Sequence, residues 1–405
     1  MKFEAPPGTH DVLEKDWPHW SRIVREVERL CALYGYRQIT TPVFEDTELF
    51  ARTSGGGSDV VQKEMYTFTD RGGRSLTLRP EGTAPIARAY LQHGLHREPQ
   101  PQKLYTIAPM YRYARPQRGR YREHWHLSVE AIGSADPAVD AELIQLYAAL
   151  LEALGVSEYR LEVNSIGDRT CRPGYVEHLV AWLEANDDRL DDEARRKKET
   201  TPLRVFDVKD DAVRAALAEA PTIADFLCDE CGEHFTRVRE ALDGYGVDYE
   251  VVPTLVRGLD YYTRTTWEFV GPEEGAQSSI SGGGRYDYLV EEIGGPSTPG
   301  VGFGAGLERL HLALGEVPAE AQAVDVFFVV EDEARRPEVL VLMARLRAEN
   351  RAADTDYAGR SLKGQLTQAE RLGAKTVVVA HERGFSVRRE GEPDLEVAAV
   401  EELPL

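Results

Sequence analysis

Arg257-Gly258-Leu259-Asp260-Tyr261-Tyr262-Thr263-Arg264-Thr265 places two cations, one carboxylate and two phenols within nine positions. Runs of strand character flank it, Val251-Val252-Pro253-Thr254-Leu255-Val256 before and Thr266-Trp267-Glu268-Phe269 after. A polar cluster held between such runs can aim several heads into one pocket. Arginine supplies a permanently charged planar fork suited to phosphate or carboxylate. Tyrosine supplies a hydroxyl on a rigid apolar body, suited to reading a small polar ligand. The stretch predicts an anion and small-molecule site. A structural ion pair in a buried strand is the plain alternative for any such cluster read alone.

Downstream, Ser281-Gly282-Gly283-Gly284-Arg285-Tyr286-Asp287 lets backbone pass close to a ligand. Gly302-Phe303-Gly304-Ala305-Gly306-Leu307-Glu308-Arg309-Leu310 begins with glycines and runs into a helix, with Arg309 near the helix start. Neither stretch carries the Gly-Lys-Ser/Thr of a P-loop or a dinucleotide fingerprint after a strand.

Upstream, Thr77-Leu78-Arg79-Pro80-Glu81-Gly82-Thr83 sets a carboxylate and a hydroxyl at the end of a strand. Glu81 can bind an ammonium group with Thr83 as a second acceptor, or Thr83 can simply cap the helix that follows. From Met110 to Arg122 cations alternate with aromatics. On a strand that alternation points Arg112 into a site, while the loop beyond reaches a polyanion. Together these pieces suggest a nucleoside triphosphate held by arginines, a carboxylate-bearing pocket for a small cationic ligand, and a basic loop beside it.

A chain of 405 residues suggests two or three domains. At 42% hydrophobic and 29% charged it reads as globular rather than disordered. No apolar run reaches bilayer length and Met1–Gly8 has no signal-peptide core, so a cytoplasmic protein without a membrane partner is expected. The net charge of −21 argues against nucleic-acid binding by bulk field. Pro99 to Arg122 nevertheless carries six cations and no Asp or Glu, a local patch of opposite sign. Cys31, Cys171, Cys228 and Cys231 do not make a disulfide framework. Cys228 and Cys231 have a ligand-like spacing, but a zinc site needs a second pair and only His234 lies close in sequence. They read as two thiols on a helical segment, and no metal is expected.

Trp17 to Tyr34 has helical spacing closed by Gly35, and Gln38–Phe44 is extended, its Pro42 fitting an edge strand or a contact with a second chain. Met65–Phe68 and Ser75–Arg79 read as a hairpin, Ala84–Gln92 as a helix, Lys103–Ile107 and Met110–Tyr113 as strand. This half predicts an α+β fold, an antiparallel sheet with flanking helices. Residues 173–249 turn to charged helical sequence, an inserted module, and strand character returns from Tyr249 to Gly284. After a break at Leu314–Glu320 the chain alternates again: strand at Val324–Val330, helices near Pro337–Asn350 and Leu362–Leu372, strand at Thr376–Ala380. Domains over 1–320 and 323–405 follow, the second a small α/β unit.

In order and spacing these motifs resemble the class II aminoacyl-tRNA synthetases, and the histidyl-tRNA synthetase family in particular. The Tyr36–Phe50 segment with Pro42 is similar to the family's dimer-forming first motif, Arg112 with the loop to Arg122 to the second, and Gly302–Arg309 to the third. Arg257–Tyr262 and Gly282–Asp287 resemble its two histidine signatures. The resemblance implies ATP-dependent ligation of L-histidine to tRNA(His) through histidyl-adenylate, with Mg²⁺ brought by ATP, in a homodimer joined through the Pro42 segment. It implies catalytic roles for Arg257, Arg112 and Arg309. Glu81 and Thr83 would bind the α-ammonium, and Glu130 with Tyr262 would read the imidazole. Gly82, Arg112, His126, Arg257, Tyr261 and Tyr286 complete the implied histidine site. Arg112, Arg120 and Arg309 would hold ATP, Arg115 and Gln117 the tRNA acceptor end, and residues 323–405 the anticodon.

The chain departs from the family pattern in three places. His126 stands where a glutamine usually accepts from the substrate ammonium, so binding is expected to weaken as pH falls through an imidazole pKa near ~6.5. Tyr113 and Ala114 replace a common His-Glu. The chain also stops at Leu405, soon after its last expected strand, so a terminal helix often seen in the family is expected to be missing. The rival reading is a catalytically silent histidine-sensing paralogue, such as the regulatory subunit of ATP phosphoribosyltransferase. Such proteins generally lose the motif arginines and the anticodon domain.

Overall fold

Helix α1 (Trp17–Leu33) buries Trp20, Ile23, Val27, Leu30 and Cys31 along one stripe. Gly35 closes it in the left-handed region at φ 78°. The computed structural model describes residues 3–53, 60–272, 279–314 and 324–404. The chain divides into two units, Met1–Val12 with His19–Val317 and Leu13–Pro18 with Pro318–Leu405. The expected boundary between 320 and 323, and the break beyond Leu314, lie outside the described residues.

The first unit carries β1 (Arg37–Gln38), β2 (Phe44–Asp46), β3 (Tyr66–Thr69), β4 (Ser75–Leu78), β5 (Gln102–Tyr111) and β6 (Glu123–Ile132). Then come β7 (Arg160–Ser165), β8 (Glu250–Val251), β9 (Thr263–Val270), β10 (Ser279–Arg285) and β11 (Gly300–Gly306). Among the described residues eight of these form one sheet in the order β1-β5-β6-β11-β10-β9-β7-β8, and β2-β4-β3 form a small second one. The six inner strands of the large sheet pair antiparallel, and only the edge pairs β1·β5 and β7·β8 are parallel. The expected antiparallel sheet is thus present. Pro42 lies between β1 and β2 rather than inside a strand, since it lacks the N–H a ladder needs.

Side chains alternate across the sheet. Leu127, Val129 and Ala131 of β6, Val301, Phe303 and Ala305 of β11, and Trp267 and Phe269 of β9 enter the main core. There they meet α1, α4 (Pro137–Leu154) and α8 (Asp229–Tyr245). Helix α10 (Leu307–Leu314) also gives Leu307 and Leu310 to this core. The intervening residues of the same strands face the other way, where α3 (Thr83–Gln92) and α9 (Leu289–Glu292) build a second cluster with Leu104, Ile132, Tyr261 and Tyr286, and α2 (Thr47–Thr53) follows β2. The charged stretch after 173 is helical: α5 (Arg172–Ala185), α6 (Asp192–Thr200) and α7 (Asp211–Leu217). They build a separate small core from Tyr175, Leu179, Val205, Leu217 and Ile223. Helix α8 instead gives Phe235, Val238 and Leu242 to the main core.

The second unit contains β12 (Val326–Val330), α11 (Arg336–Ala348), β13 (Ala353–Thr355), α12 (Leu362–Arg371), β14 (Thr376–His381), β15 (Gly384–Arg389) and β16 (Leu395–Val397). The strand order is β13-β12-β14-β15-β16, parallel for the first three and antiparallel for the rest. Every residue of β12 is buried, as a central parallel strand requires. The α/β expectation holds, but Thr376–Ala380 is not the last strand: β15 ends in Arg388 and Arg389, and β16 is three largely exposed residues with Glu396 at the centre, so neither shows a clear buried pattern.

Candidate active site

The site face of the large sheet is cleared by glycine. Glu130 pairs in register with Gly302, and Gly282 with Glu268. A side chain on Gly302 would collide with the Glu130 carboxylate, and one on Gly282 with the Arg257 guanidinium. The glycine signatures therefore make room for side chains arriving from β6 and from the loop before β9. The cleft above has a volume of about 280 Å³ and is lined by Glu81, Thr83, Arg112, Arg120, His124, His126, Arg257, Tyr261, Tyr262, Glu308 and Arg309, among others.

At one end both carboxylate oxygens of Glu81 accept from the backbone N–H groups of Thr83 (2.7 Å) and Ala84 (2.9 Å). Glu81, not Thr83, thus satisfies the open first turn of α3. The Thr83 hydroxyl donates to Glu130 Oε1 at 2.7 Å, which leaves its lone pairs able to accept. The Tyr286 hydroxyl donates to Glu130 Oε2 at 2.5 Å. Burial raises the pKa of Glu81, and pushes that of Glu130 up to about 8 against the pull of its two hydroxyl donors. Tyr261 packs against Tyr262 (4.7 Å between ring centres) and Tyr286 (5.8 Å), closing this end with aromatic surface.

At the other end the arginines gather. Arg112 Nε donates to Pro80 O at 2.7 Å. Arg309 donates from Nε to Gly119 O at 3.1 Å and from Nη1 to Ser279 O. Among the described residues these two are anchored by carbonyls, which leaves their charge uncancelled. Arg120 pairs with Glu64 at 2.8 Å and Arg257 with Glu268 at 3.2 Å. Arg257 Nε is buried without a hydrogen-bond partner among the described residues. Burial lowers the Arg309 pKa, and Arg120 and Arg112 lower it further. Burial also raises Glu308 to about 7, although the Trp125 N–H donates to it at 2.8 Å. With Glu81 and Glu308 both reluctant to ionise, the cleft is a positive site in a chain of net charge −21.

His126 lines the cleft, its Nδ1 3.1 Å from Ser128 Oγ. Burial, then Arg112 and Arg309, hold its pKa down to about 3. The expected titration near ~6.5 is therefore corrected: burial disfavours the imidazolium, and the charges of Arg112 and Arg309 disfavour it further. His124, two residues earlier on the same face, is likewise held well below the usual value by burial and Arg112.

Of the residues expected at the site, Glu81, Gly82, Thr83, Arg112, Arg120, His126, Arg257, Tyr261, Tyr262 and Arg309 line the cleft. Glu130 and Tyr286 are only 1% exposed and lie beneath it, reached through Thr83. The loop after β5 exposes Arg115 and Gln117 outside the cleft, its turn held by reciprocal backbone bonds between Gln117 and Arg120. The cluster from Arg257 to Tyr262 is a loop entering β9, not a strand. His124, Glu268 and Glu308 were missed. The signal for His124 is the alternation His124, His126, Ser128, Glu130, which puts four polar groups on one face of β6.

A glycine-floored antiparallel sheet, an arginine cluster in place of a P-loop and a buried carboxylate pocket define a class II aminoacyl-tRNA synthetase core. A profile described as histidyl-tRNA synthetase matches residues 8–310. A histidine–tRNA ligase of Natranaerobius thermophilus is 43% identical, covering 100% of this chain and 97% of its own. One of Desulforudis audaxviator is 48% identical over 94% of this chain and 91% of its own. The solved apo histidyl-tRNA synthetase of S. aureus superposes with a TM-score of 0.80 at 36% identity, covering 98% of this chain and 97% of its own. The chain belongs to the histidyl-tRNA synthetase family.

Proposed function

We propose that this chain ligates L-histidine to tRNA(His) in two steps. The histidine carboxylate attacks the α-phosphorus of ATP and diphosphate leaves; the ribose hydroxyl at the tRNA 3′ end then takes the histidyl group and AMP is released. The observation that carries this reading is the joining, in one cleft, of four guanidiniums to a buried end built from Glu81, Thr83 and tyrosines. Arg112, Arg120 and Arg309 bind the phosphates. Arg257, fixed by Glu268 and keeping Nε unpartnered, stabilises charge developing at the α-phosphate, a role in which placement matters and no proton moves.

Glu81 and Thr83 receive the ammonium, with neutral His126 as a further acceptor beside them. Glu130, below, sets the polarity of the imidazole end through Thr83 and Tyr286. Mg²⁺ enters with ATP as part of the substrate. Glu308 Oε2, buried and without a partner among the described residues, is the oxygen donor that fits a hard cation.

Arg115 and Gln117 meet the acceptor end, supported by their exposure on a basic loop. Residues 323–405, as a separate α/β unit, read the anticodon. A homodimer forms through the Pro42 segment, where Val43, Phe44 and Phe68 are exposed together with two of the rings in contact. Among the described residues no helix is long and apolar enough to cross a membrane, and a cytoplasmic location suits substrates found there.

ATP–pyrophosphate exchange with each amino acid in turn tests the reading. Exchange with histidine alone is expected; exchange with none would favour the silent histidine-binding paralogue, which the three intact arginines and the second unit argue against.

A further inference from the structure

Outside the cleft, three of the four cysteines converge with an aspartate. Asp168, Cys171, Cys228 and Cys231 offer ligand atoms that all lie within 4.8 Å of one another. We propose that they form a tetrahedral site for zinc or a similar thiolate-binding divalent ion, and that this ion clamps the stem of the helical insertion to the catalytic sheet.

The geometry is that of a built cluster. Cys171 precedes the first residue of α5 and Cys228 the first residue of α8, so both thiols sit at helix N-termini, and neither caps its helix. Cys231 is the third residue of α8 and lies on the same side as Cys228. Asp168 Oδ1 accepts from the Cys171 thiol at 3.7 Å and from the Thr170 N–H at 2.9 Å. Gly167, at φ 62°, leaves the space: a side chain there would come within 2.6 Å of Cys171 Sγ. Asp168, Cys171 and Cys231 are buried and Cys228 is half-buried, so one corner faces the route by which an ion enters.

Zinc bonds of about 2.3 Å to sulfur put tetrahedral ligands roughly 3.8 Å apart, so the four atoms need to close by about 1 Å. Thiolate ligands select zinc over magnesium or calcium. Three thiol protons leave as the ion binds, and the resulting net negative centre faces two helix N-termini and Arg264, whose Nη2 lies 3.4 Å from Asp168 Oδ2. A disulfide between two of these cysteines would leave the third thiol and the carboxylate without a purpose. His234, the nearest histidine in sequence, is not a member: its Nε2 lies 3.9 Å from Asp140.

Position gives the site its role. Asp168 and Cys171 follow β7, and Cys228 and Cys231 open α8, so the ligands bracket the insertion and its separate core. Arg172, next to Cys171, donates to Ile166 O (2.9 Å), Gly167 O (3.0 Å) and Tyr262 O (2.6 Å). The clamp thereby bears on the backbone of a residue lining the cleft.

The test uses the full chain, purified without chelators or an affinity tag that binds metal, and elemental analysis by plasma mass spectrometry. About one zinc per chain is expected, since the site holds one four-coordinate ion. Cys228→Ser and Cys231→Ser are expected to lose it while Cys31→Ser retains it. Anaerobic replacement by Co²⁺ in the wild-type protein is expected to give sulfur-to-cobalt charge-transfer absorption and the intense visible bands of a tetrahedral centre, a readout that needs no variant to fold. Metal removal is expected to speed proteolysis between Arg172 and Leu227. The proposal is overturned if wild-type protein incubated anaerobically with Zn²⁺ and desalted holds no zinc above background. It is equally overturned if both cysteine variants keep the metal, or if mass spectrometry finds a native Cys228–Cys231 disulfide.

Discussion

Replacing Glu130 by glutamine isolates the one buried carboxylate whose titration the fold reverses most plainly. Glutamine keeps the shape and an acceptor, and the hydroxyls of Thr83 and Tyr286 can each donate or accept, so the exchange is nearly neutral while Glu130 is protonated. In the unfolded chain Glu130 ionises near its usual 4.5; burial holds it at about 8 in the fold. Below 4.5 both states are protonated and the group contributes no pH dependence. Between these values the unfolded chain releases its proton and the folded chain does not, so wild-type stability falls as pH rises; above about 8 the loss is complete. At about 1.36 kcal/mol per pKa unit the full loss is roughly 5 kcal/mol. Relaxation of the interior around the new charge brings this to about 2–5 kcal/mol.

Glu130→Gln does not ionise, so its stability relative to wild type should rise by that amount between about pH 5 and about pH 9. Urea unfolding followed by tryptophan fluorescence measures it, since four of the five tryptophans, Trp20, Trp125, Trp182 and Trp267, lie in the first unit. Parallel stability curves for the two proteins across the window would refute the reasoning, because every other titrating group is common to both.

Arg257→Ala should lower histidine-dependent exchange by about 10²–10³-fold, and adding Glu268→Gln, which removes the carboxylate left unpaired, should recover stability but not rate; a rate near wild type would make Arg257 structural. Arg115→Ala and Gln117→Ala should leave exchange intact and slow transfer to tRNA in single-turnover assays, because both lie outside the cleft. Equal damage to both steps would place the loop in the ATP site. His126→Gln should give a pH profile of histidine KM that superimposes on wild type from about pH 5 to 8, because an imidazole held near 3 does not titrate there. An acid limb present only in the wild type would show that Arg112 and Arg309 do not hold it neutral.

Local pattern alone determined much of this protein. The helical stripe of α1, the hairpin of β3 and β4, the order of the arginine- and glycine-rich motifs and the change of texture after residue 173 are all read from neighbours in the chain, because periodicity and turn chemistry are local properties. They placed ten of the expected site residues on one cleft. What sequence did not reveal depends on groups brought together from afar. Only the register of β6 against β11 sets Glu130 over Gly302 and sinks it, with Tyr286, below the cleft rather than in its wall. Only the assembled interior holds His126 and Glu130 toward their neutral forms: burial does so for both, the field of Arg112 and Arg309 adds to it at His126, and the nearby Glu81 adds to it at Glu130, and none of these exists in the extended chain. Cys228 and Cys231 met too few ligands in sequence, and the fold brings Asp168 and Cys171 to them from before the insertion. Chain neighbours decide which element forms; burial and charge are decided by whichever residues tertiary packing makes neighbours in space.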